Sequence, residues 1–152
     1  MDTASDISNF NLNRQISSLS IDESLHLFTE LFPGQVCFST SFSIEDQVIL
    51  HHIAINNLPI KVFTLDTGRL FGETYSVWTA TKEKYGIPIQ AYIPDAKHLE
   101  AFVNSKGPNA FYESVENRKA CCFIRIGPGI WTLLPCVNQT EGFASDPVSE
   151  IP

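Results

Sequence analysis

Three short apolar runs alternate with stretches of helical length, and this alternation restricts the fold more than any other feature of the sequence. The runs at 35–40, 60–65 and 87–93 have the length and composition of buried strands, and the stretches 44–57 and 72–85 between them are those of helices. A strand, a helix and another strand in this order form a right-handed crossover within a parallel sheet. The sequence therefore predicts an α/β fold whose parallel sheet is covered by helices on both faces.

The chain divides into three parts. Residues 1–15 are polar and are expected to form a flexible N-terminus. Residues 16–125 carry the α/β pattern and form the predicted domain, which opens with an amphipathic helix interrupted near Ser20 and closes with a helix over 96–104. Residues 126–152 contain several prolines and follow neither the helical nor the strand period. They are predicted to be an atypical tail.

Charge and hydropathy exclude several classes of function. The formal net charge of the 152 residues is -7, which disfavours nucleic-acid binding because that binding depends on an excess of Lys and Arg. No apolar run approaches the length of about 20 residues that spans a bilayer. The N-terminus lacks the basic and apolar regions of a secretory signal, so no membrane association and a cytoplasmic location are expected. A small anionic ligand remains compatible with the charge, since one site needs only a few donors.

A hydroxyl-rich segment joins the first predicted strand to the following helix. Such a turn exposes backbone N–H groups at a helix N-terminus, where the helix dipole favours an anion. The candidate binding residues are Ser39, Thr40, Ser41, Phe42, Ser43 and Asp46. An alternative interpretation is purely structural, with Ser43 as the N-cap and Asp46 completing a capping box.

A second polar loop follows the second predicted strand. Asp66 could accept hydrogen bonds from a ribose, Gly68 permits close approach of a ligand to the backbone, and Arg69 could bind a phosphate or sulfate through two donors. Leu65 and Thr67 complete this candidate site. The alternative is an ordinary β-turn. Ligands of parallel sheets bind beyond the carboxyl ends of the strands, where both loops are expected.

A pair of adjacent cysteines follows two basic residues near the end of the α/β region. Arg118 and Lys119 would favour the thiolate forms of Cys121 and Cys122, and thiolates bind metal ions. The alternative is two buried thiols at the start of a helix. Cys37 lies in an apolar run and is predicted to be a core residue.

Taken in order, the segments 38–42, 63–71 and 117–122 resemble the thioredoxin-dependent adenylyl-sulfate/phosphoadenylyl-sulfate reductases of assimilatory sulfate reduction and cysteine biosynthesis. The resemblance extends to 73–75 and 92–95. It covers about residues 36–125. It implies the Rossmann-like parallel sheet of the adenine-nucleotide α-hydrolases, incomplete here at its C-terminal end.

The resemblance also implies an activity and a set of roles. The segment from Ser39 to Asp46 would hold the phosphosulfate of adenylyl sulfate or phosphoadenylyl sulfate. The loop 65–69 would lie along the nucleotide, with Arg118 and Lys119 among the substrate-binding residues. Cys121 and Cys122 would be two of the four ligands of a 4Fe–4S cluster. In the family a C-terminal cysteine attacks the sulfonyl sulfur, the nucleotide leaves, and thioredoxin releases sulfite.

The sequence departs from the family pattern after Arg125. The family's later Cys-x-x-Cys pair and its Glu-Cys-Gly tail are absent, Ile126 replaces a lysine, and Cys136 has no counterpart. We therefore expect a frameshift or an early stop, with a specialised short protein as the alternative. This polypeptide is expected to have no catalytic residue and no assembled cluster. A nucleotide-binding module without catalysis is a second hypothesis. A nucleotidyl-transferring relative of the same fold is a third, against which the cysteine pair argues.

Overall fold

The computed structural model describes residue 12 and residues 14–126. Along this part of the chain the strands and helices alternate as the sequence predicts. In order they are α1 (Ile21–Leu31), β1 (Cys37–Ser39), α2 (Ile44–Ile55), β2 (Lys61–Leu65), α3 (Gly72–Tyr85), β3 (Ile89–Tyr92), α4 (Ala96–Lys106), a 3-10 turn (Ala110–Tyr112) and α5 (Val115–Ile126). None of the helices in these residues is long and apolar enough to cross a membrane.

The three strands form one parallel sheet in the order β1-β2-β3, which confirms the predicted α/β class. Phe38 is level with Val62, and Val62 is level with Ile89. The strands are shorter than predicted because their ends leave the regular ladder. Backbone bonding nevertheless continues beyond β1, since the Thr40 N–H donates to the Phe63 carbonyl at 2.8 Å.

One face of the sheet carries the main core. The strand order and the right-handed crossovers place α2 and α3 on the same face. There Leu50 and Ile53 of α2 pack with Ile60 and Val62, and Leu50 is fully buried. On the other face Phe63 forms a small cluster with Cys37, Leu65 and Tyr92. Cys37 is thus half-buried within β1, where the sequence placed it.

Two helix boundaries follow from local chemistry. The interruption predicted near Ser20 is the start of α1, because Ser20 and Glu23 form a capping box in which each side chain accepts from the other's backbone N–H. Helix α3 has the bounds that the sequence predicted and ends at Gly86, whose φ of 64° is left-handed.

The last two helices form a cluster of their own. Phe102 of α4, Ala110 of the 3-10 turn, and Cys121 and Ile124 of α5 are buried together. The Ser114 hydroxyl accepts from the Asn117 N–H at 3.0 Å and fixes the start of α5. The two cysteines therefore lie in the middle of a helix, and Cys122 is exposed. The alternative of two buried thiols at a helix start is wrong, because the pair lies in mid-helix and one of its two thiols is exposed.

Candidate functional site

The segment from the last residue of β1 to the first turn of α2, residues 39–46, makes a sharp turn at Phe42. We call it the serine loop. Phe42 has a φ of 64°, in the left-handed region that bulky residues rarely adopt. Its N–H donates to the hydroxyl of the buried Thr40 at 3.0 Å. Ser39 is exposed at the end of β1. The turn brings the chain directly into the first residue of α2.

Asp46 fastens the serine loop, although not in the way that the sequence suggested. The Ser43 hydroxyl accepts from the Asp46 N–H at 3.3 Å, so the predicted N-cap is confirmed. The Asp46 carboxylate, however, accepts from the N–H and hydroxyl of Ser41, at 2.6 and 2.8 Å, and does not complete a capping box. Burial raises the pKa of Asp46, but the hydrogen bonds from Ser41 and Ser43 outweigh it, and the net pKa is lowered.

The open donors of this loop are backbone N–H groups. No partner among the described residues accepts from the N–H of Ile44 or Glu45, the first two residues of α2, whereas the Ser43 N–H lies near the Asp46 carboxylate and helps to lower its pKa. The Ser41 donors, in contrast, are occupied by Asp46. The start of α2 is therefore the part of the serine loop whose N–H groups can donate to an anion.

The loop after β2, residues 66–69, is closed by its own contacts. We call it the 66–69 loop. The Asp66 carboxylate accepts from the Gly68 N–H at 2.8 Å and from the Tyr75 hydroxyl at 2.8 and 3.0 Å. The hydrogen bond to Asp66 raises the pKa of the Tyr75 phenol. Gly68 has a φ of 70°, which explains its requirement for glycine. Leu65 ends β2 and packs with Phe63.

The guanidinium of Arg69 contacts the segment before α5, although the residue is exposed. It donates to the Pro108 carbonyl and, at 3.0 Å, to the Asn109 side-chain oxygen. It also lies 4.6 Å from the centre of the Phe111 ring. Arg69 therefore connects the 66–69 loop to the 3-10 turn. Its other donors have no protein partner among the described residues.

Helix α5 reaches the 66–69 loop through Arg125, which the sequence interpretation did not include in the site. Arg125 donates to Cys121 Sγ at 3.2 Å through Nε and to the Thr67 carbonyl through Nη1. Arg118 donates to the Phe111 carbonyl at 3.4 Å, and Lys119 is exposed. The basic side chain that contacts a thiol is therefore that of Arg125. Its spacing of four residues from Cys121, one helical turn, was the available signal.

Tyr75 and Trp78 of α3 were also missed as site residues. Tyr75 contacts the 66–69 loop through Asp66. Trp78 contacts the serine loop, because its ring stacks on that of Phe42 with centroids 5.5 Å apart. The sequence signal was an aromatic pair at i and i+3 on the helix that follows the second loop.

The described residues supply two thiols to a metal site and do not complete one. Cys121 is buried and Cys122 is exposed, since neighbours on a helix point in directions about 100° apart. Within residues 14–126 no group of three or more His, Cys, Asp or Glu side chains could hold a metal ion. The set of four thiolates that a 4Fe–4S cluster requires is therefore not present there.

A cavity of about 750 Å³ lies elsewhere, near the amino ends of β2 and β3, where Pro59 and Pro88 are among its lining residues. Neither the serine loop nor the 66–69 loop lines it. The cavity thus lies away from the carboxyl edge of the sheet, where ligands of parallel sheets bind.

Comparison with known proteins identifies the family to which these loops belong. The sequence matches the phosphoadenosine phosphosulfate reductase domain over residues 35–131. The chain belongs to this family. The match includes both loops and α5, and it ends beyond the boundary that the sequence pattern placed at Arg125. Residues 127–131 lie outside the described part of the chain, so that boundary stays a prediction.

Curated relatives and a solved structure agree with this reductase family. Over 131 residues the chain is 47% identical to the adenosine 5'-phosphosulfate reductase of Sinorhizobium fredii (strain USDA 257), covering 86% of this chain and 49% of that protein. It is 44% identical to the Agrobacterium fabrum protein of the same name over 111 residues, covering 73% of this chain and 40% of that protein. The chain thus spans about half the length of the curated relatives it matches.

A phosphoadenylyl-sulfate reductase from Candida auris, solved as a phosphate complex, has the same fold. Its TM-score is 0.64 at 24% sequence identity, covering 76% of this chain and 55% of that one. The predicted family and its oxidoreductase class are therefore confirmed. The comparisons do not test the roles of individual site residues, which stay predictions.

Proposed function

We propose that this chain provides the sulfonucleotide-binding part of an assimilatory sulfonucleotide reductase. The ligand is adenylyl sulfate or phosphoadenylyl sulfate, and its phosphosulfate binds at the start of α2. The observation that carries the proposal is the pair of open N–H groups at Ile44 and Glu45, presented at the carboxyl edge of a parallel sheet. The family match supports the class of ligand.

The remaining roles follow from position. Thr40 and Asp46 hold the serine loop in shape, while the Ser43 hydroxyl and the helix N–H groups face the anion. Asp66 lies at the end of the neighbouring strand, where a ribose or adenine would extend from the phosphate. Arg69 would use donors that the 3-10 turn leaves open. Arg118 and Lys119 project from α5 and would add positive charge to the same ligand.

Reduction to sulfite is the second part of the proposal, and it concerns a longer protein in the cytoplasm. There a cysteine outside this chain would attack the sulfonyl sulfur, and thioredoxin would release the sulfite. Cys121 and Cys122 would supply two ligands of the 4Fe–4S cluster. Residues 14–126 alone do not complete that ligand set. The rival function, nucleotide binding without catalysis, uses the same binding residues and differs in turnover.

A single proline substitution, at Ile44, tests the binding proposal. Ile44 is the first residue of α2, where proline is favoured, and its side chain is 83% exposed. Ser43 before it is extended, with a ψ of 168°, as a residue preceding proline should be. Ile44→Pro therefore removes one N–H and preserves the helix. We expect calorimetry to show affinity for adenylyl sulfate about ten- to a hundredfold weaker, as expected for one charge-assisted hydrogen bond.

Ile44→Ala is the matched control, because it removes the same side chain and keeps the N–H. Its affinity should equal that of the unsubstituted chain. If the unsubstituted chain binds neither adenylyl sulfate nor AMP, the proposed function is wrong. If Ile44→Pro binds as tightly as Ile44→Ala, the anion does not use this N–H group and the proposed placement of the phosphosulfate is wrong.

A further inference from the structure

Helix α3 carries two aromatic side chains that each contact one of the two ligand loops. Tyr75 and Trp78 are one turn apart, and their rings stack with centroids 6.4 Å apart and planes 18° apart. Tyr75 donates to Asp66 of the 66–69 loop. Trp78 stacks on Phe42 of the serine loop, with planes 22° apart. One surface of a single helix thus touches both loops.

The contact with Trp78 matters because Phe42 has an unfavourable backbone. A left-handed conformation is unfavourable for an L-residue, and Phe42 lacks the compact polar side chain that eases it in Asn or Asp. Burial of a Phe side chain is stabilising, and stacking on a second aromatic ring adds to that stabilisation. The Phe42 side chain is 7% exposed, so its packing offsets the strain of its backbone.

The conformation of Phe42 determines where the open N–H groups of the serine loop point. Phe42 is followed directly by Ser43, the N-cap of α2, whose ψ of 168° makes its backbone extended. If Phe42 relaxed to an ordinary backbone conformation, the chain would leave Thr40 in another direction. The Phe42 N–H is held by Thr40 and its ring is held by Trp78. The backbone bond is local, whereas the ring contact comes from a different element.

We propose that Trp78 is a positioning residue for the anion site, acting through Phe42. It does not touch the ligand. It holds the Phe42 ring and thereby keeps the left-handed turn that presents the N–H groups of Ile44 and Glu45. This inference rests on the proposed binding of a sulfonucleotide at the start of α2.

A double-mutant cycle on ligand affinity tests this role. The variants are Trp78→Leu, which removes the aromatic stack, Phe42→Gly, which adopts a left-handed conformation without the ring, and the two combined. Loss of the stack should weaken binding of adenylyl sulfate about two- to tenfold in the natural background. In the Phe42→Gly background the same substitution should change affinity by less than about twofold, because the partner ring is gone.

Two further variants separate positioning from general stability. Trp78→Phe keeps an aromatic ring and should restore affinity to within about twofold. Tyr85→Leu makes the same kind of change on the same helix, but Tyr85 contacts His51 instead of either loop. It should lower the unfolding midpoint and leave affinity unchanged. Urea unfolding of every variant accompanies the calorimetry.

Each result decides the inference. Equal affinity losses from Trp78→Leu in both backgrounds would show that Trp78 does not act through Phe42. Unchanged affinity in Trp78→Leu, with normal binding by the unsubstituted chain, would refute the inference and leave the proposed function intact. Absence of binding by the unsubstituted chain would refute the proposed function, and the inference with it.

Discussion

The serine loop and the 66–69 loop follow neighbouring strands, but they differ in whether their polar groups already have protein partners. Each contains a carboxylate that accepts from a nearby backbone N–H, Asp46 from Ser41 and Asp66 from Gly68. In the serine loop this contact leaves the two N–H groups of Ile44 and Glu45 at the helix start open. In the 66–69 loop the side chains of Asp66 and Arg69 already have protein partners.

The difference indicates which loop is prepared for a ligand. An anion can bind the serine loop without breaking a protein contact, so the cost of reorganisation there is low. A ligand of the 66–69 loop must share or displace bonds with Tyr75 and Asn109. The 66–69 loop is also tied to α5, because Arg125 bridges Cys121 and the Thr67 carbonyl. The serine loop should therefore bind its anion at the lower cost of reorganisation, and the 66–69 loop connects the ligand site to the helix that carries the cysteine pair.

The largest expected effect concerns that cysteine pair and is close to all-or-none. The 152-residue chain, purified without oxygen, should contain far less than one iron per chain, since a 4Fe–4S cluster needs four thiolates and only Cys121 and Cys122 are grouped in the described part. Iron and acid-labile sulfide analysis measures this. About four irons per chain would contradict the prediction, and about four per dimer would indicate a cluster shared between two chains.

Arg69 tests whether the closed loop still takes part in binding. We expect Arg69→Ala to weaken adenylyl sulfate binding about ten- to a hundredfold, because hydrogen bonds to a charged group contribute about 1.5–3 kcal/mol. Asn109→Ala is the control, since it removes one partner of Arg69 without removing the guanidinium. Its affinity should stay within about twofold of the original. Calorimetry and urea unfolding separate the two roles of Arg69.

The assignment of Arg69 to the ligand site would be wrong if Arg69→Ala destabilised the fold and left affinity unchanged. Arg69 would then only fasten the 66–69 loop to the 3-10 turn, and the anion site would consist of the serine loop alone. Such a result would sharpen the contrast between the loops rather than remove it.

The sequence predicted local features better than contacts between distant segments. The bounds of α3 follow from its helical period and from Gly86. The N-cap at Ser43 follows from a hydroxyl directly before the apolar residues of α2. The predicted capping box was not found, because the Asp46 carboxylate accepts from two donors of Ser41, its N–H and its hydroxyl.

Contacts made across the fold had no comparable signal. Arg69 reaches Asn109, 40 residues later, and Arg125 reaches Thr67, 58 residues earlier. The spacing of charges along the chain could not distinguish these partners from a ligand. Trp78 was overlooked for a related reason, because an aromatic residue on a helix is usually core, and its contact with Phe42 depends on a left-handed turn.

The smallest predicted effect concerns Asp46, whose contacts with Ser41 hold the serine loop in its shape. Asp46→Asn should lower the free energy of unfolding by about 1 kcal/mol at neutral pH, a value reduced for solvent screening because Asp46 is only half-buried. The folded-state pKa of Asp46 lies below its ordinary value of 3.8. Its stabilisation is therefore complete above pH 3.8 and is lost as the pH falls through the lower folded value.

Urea midpoints of the unsubstituted and Asp46→Asn chains, measured from pH 7 downwards, check this linkage. The difference between them should be constant at neutral and mildly acid pH and should shrink once the pH is below 3.8, because protonated Asp46 resembles the amide. Glu45→Gln is the control, a charge change in the same helical turn at an exposed side chain, and should shift stability by less than about 0.5 kcal/mol. A difference that stays constant down to pH 2 would mean that the charge of Asp46 does not hold Ser41. The openness of the serine loop would then depend on Phe42 and Trp78 alone.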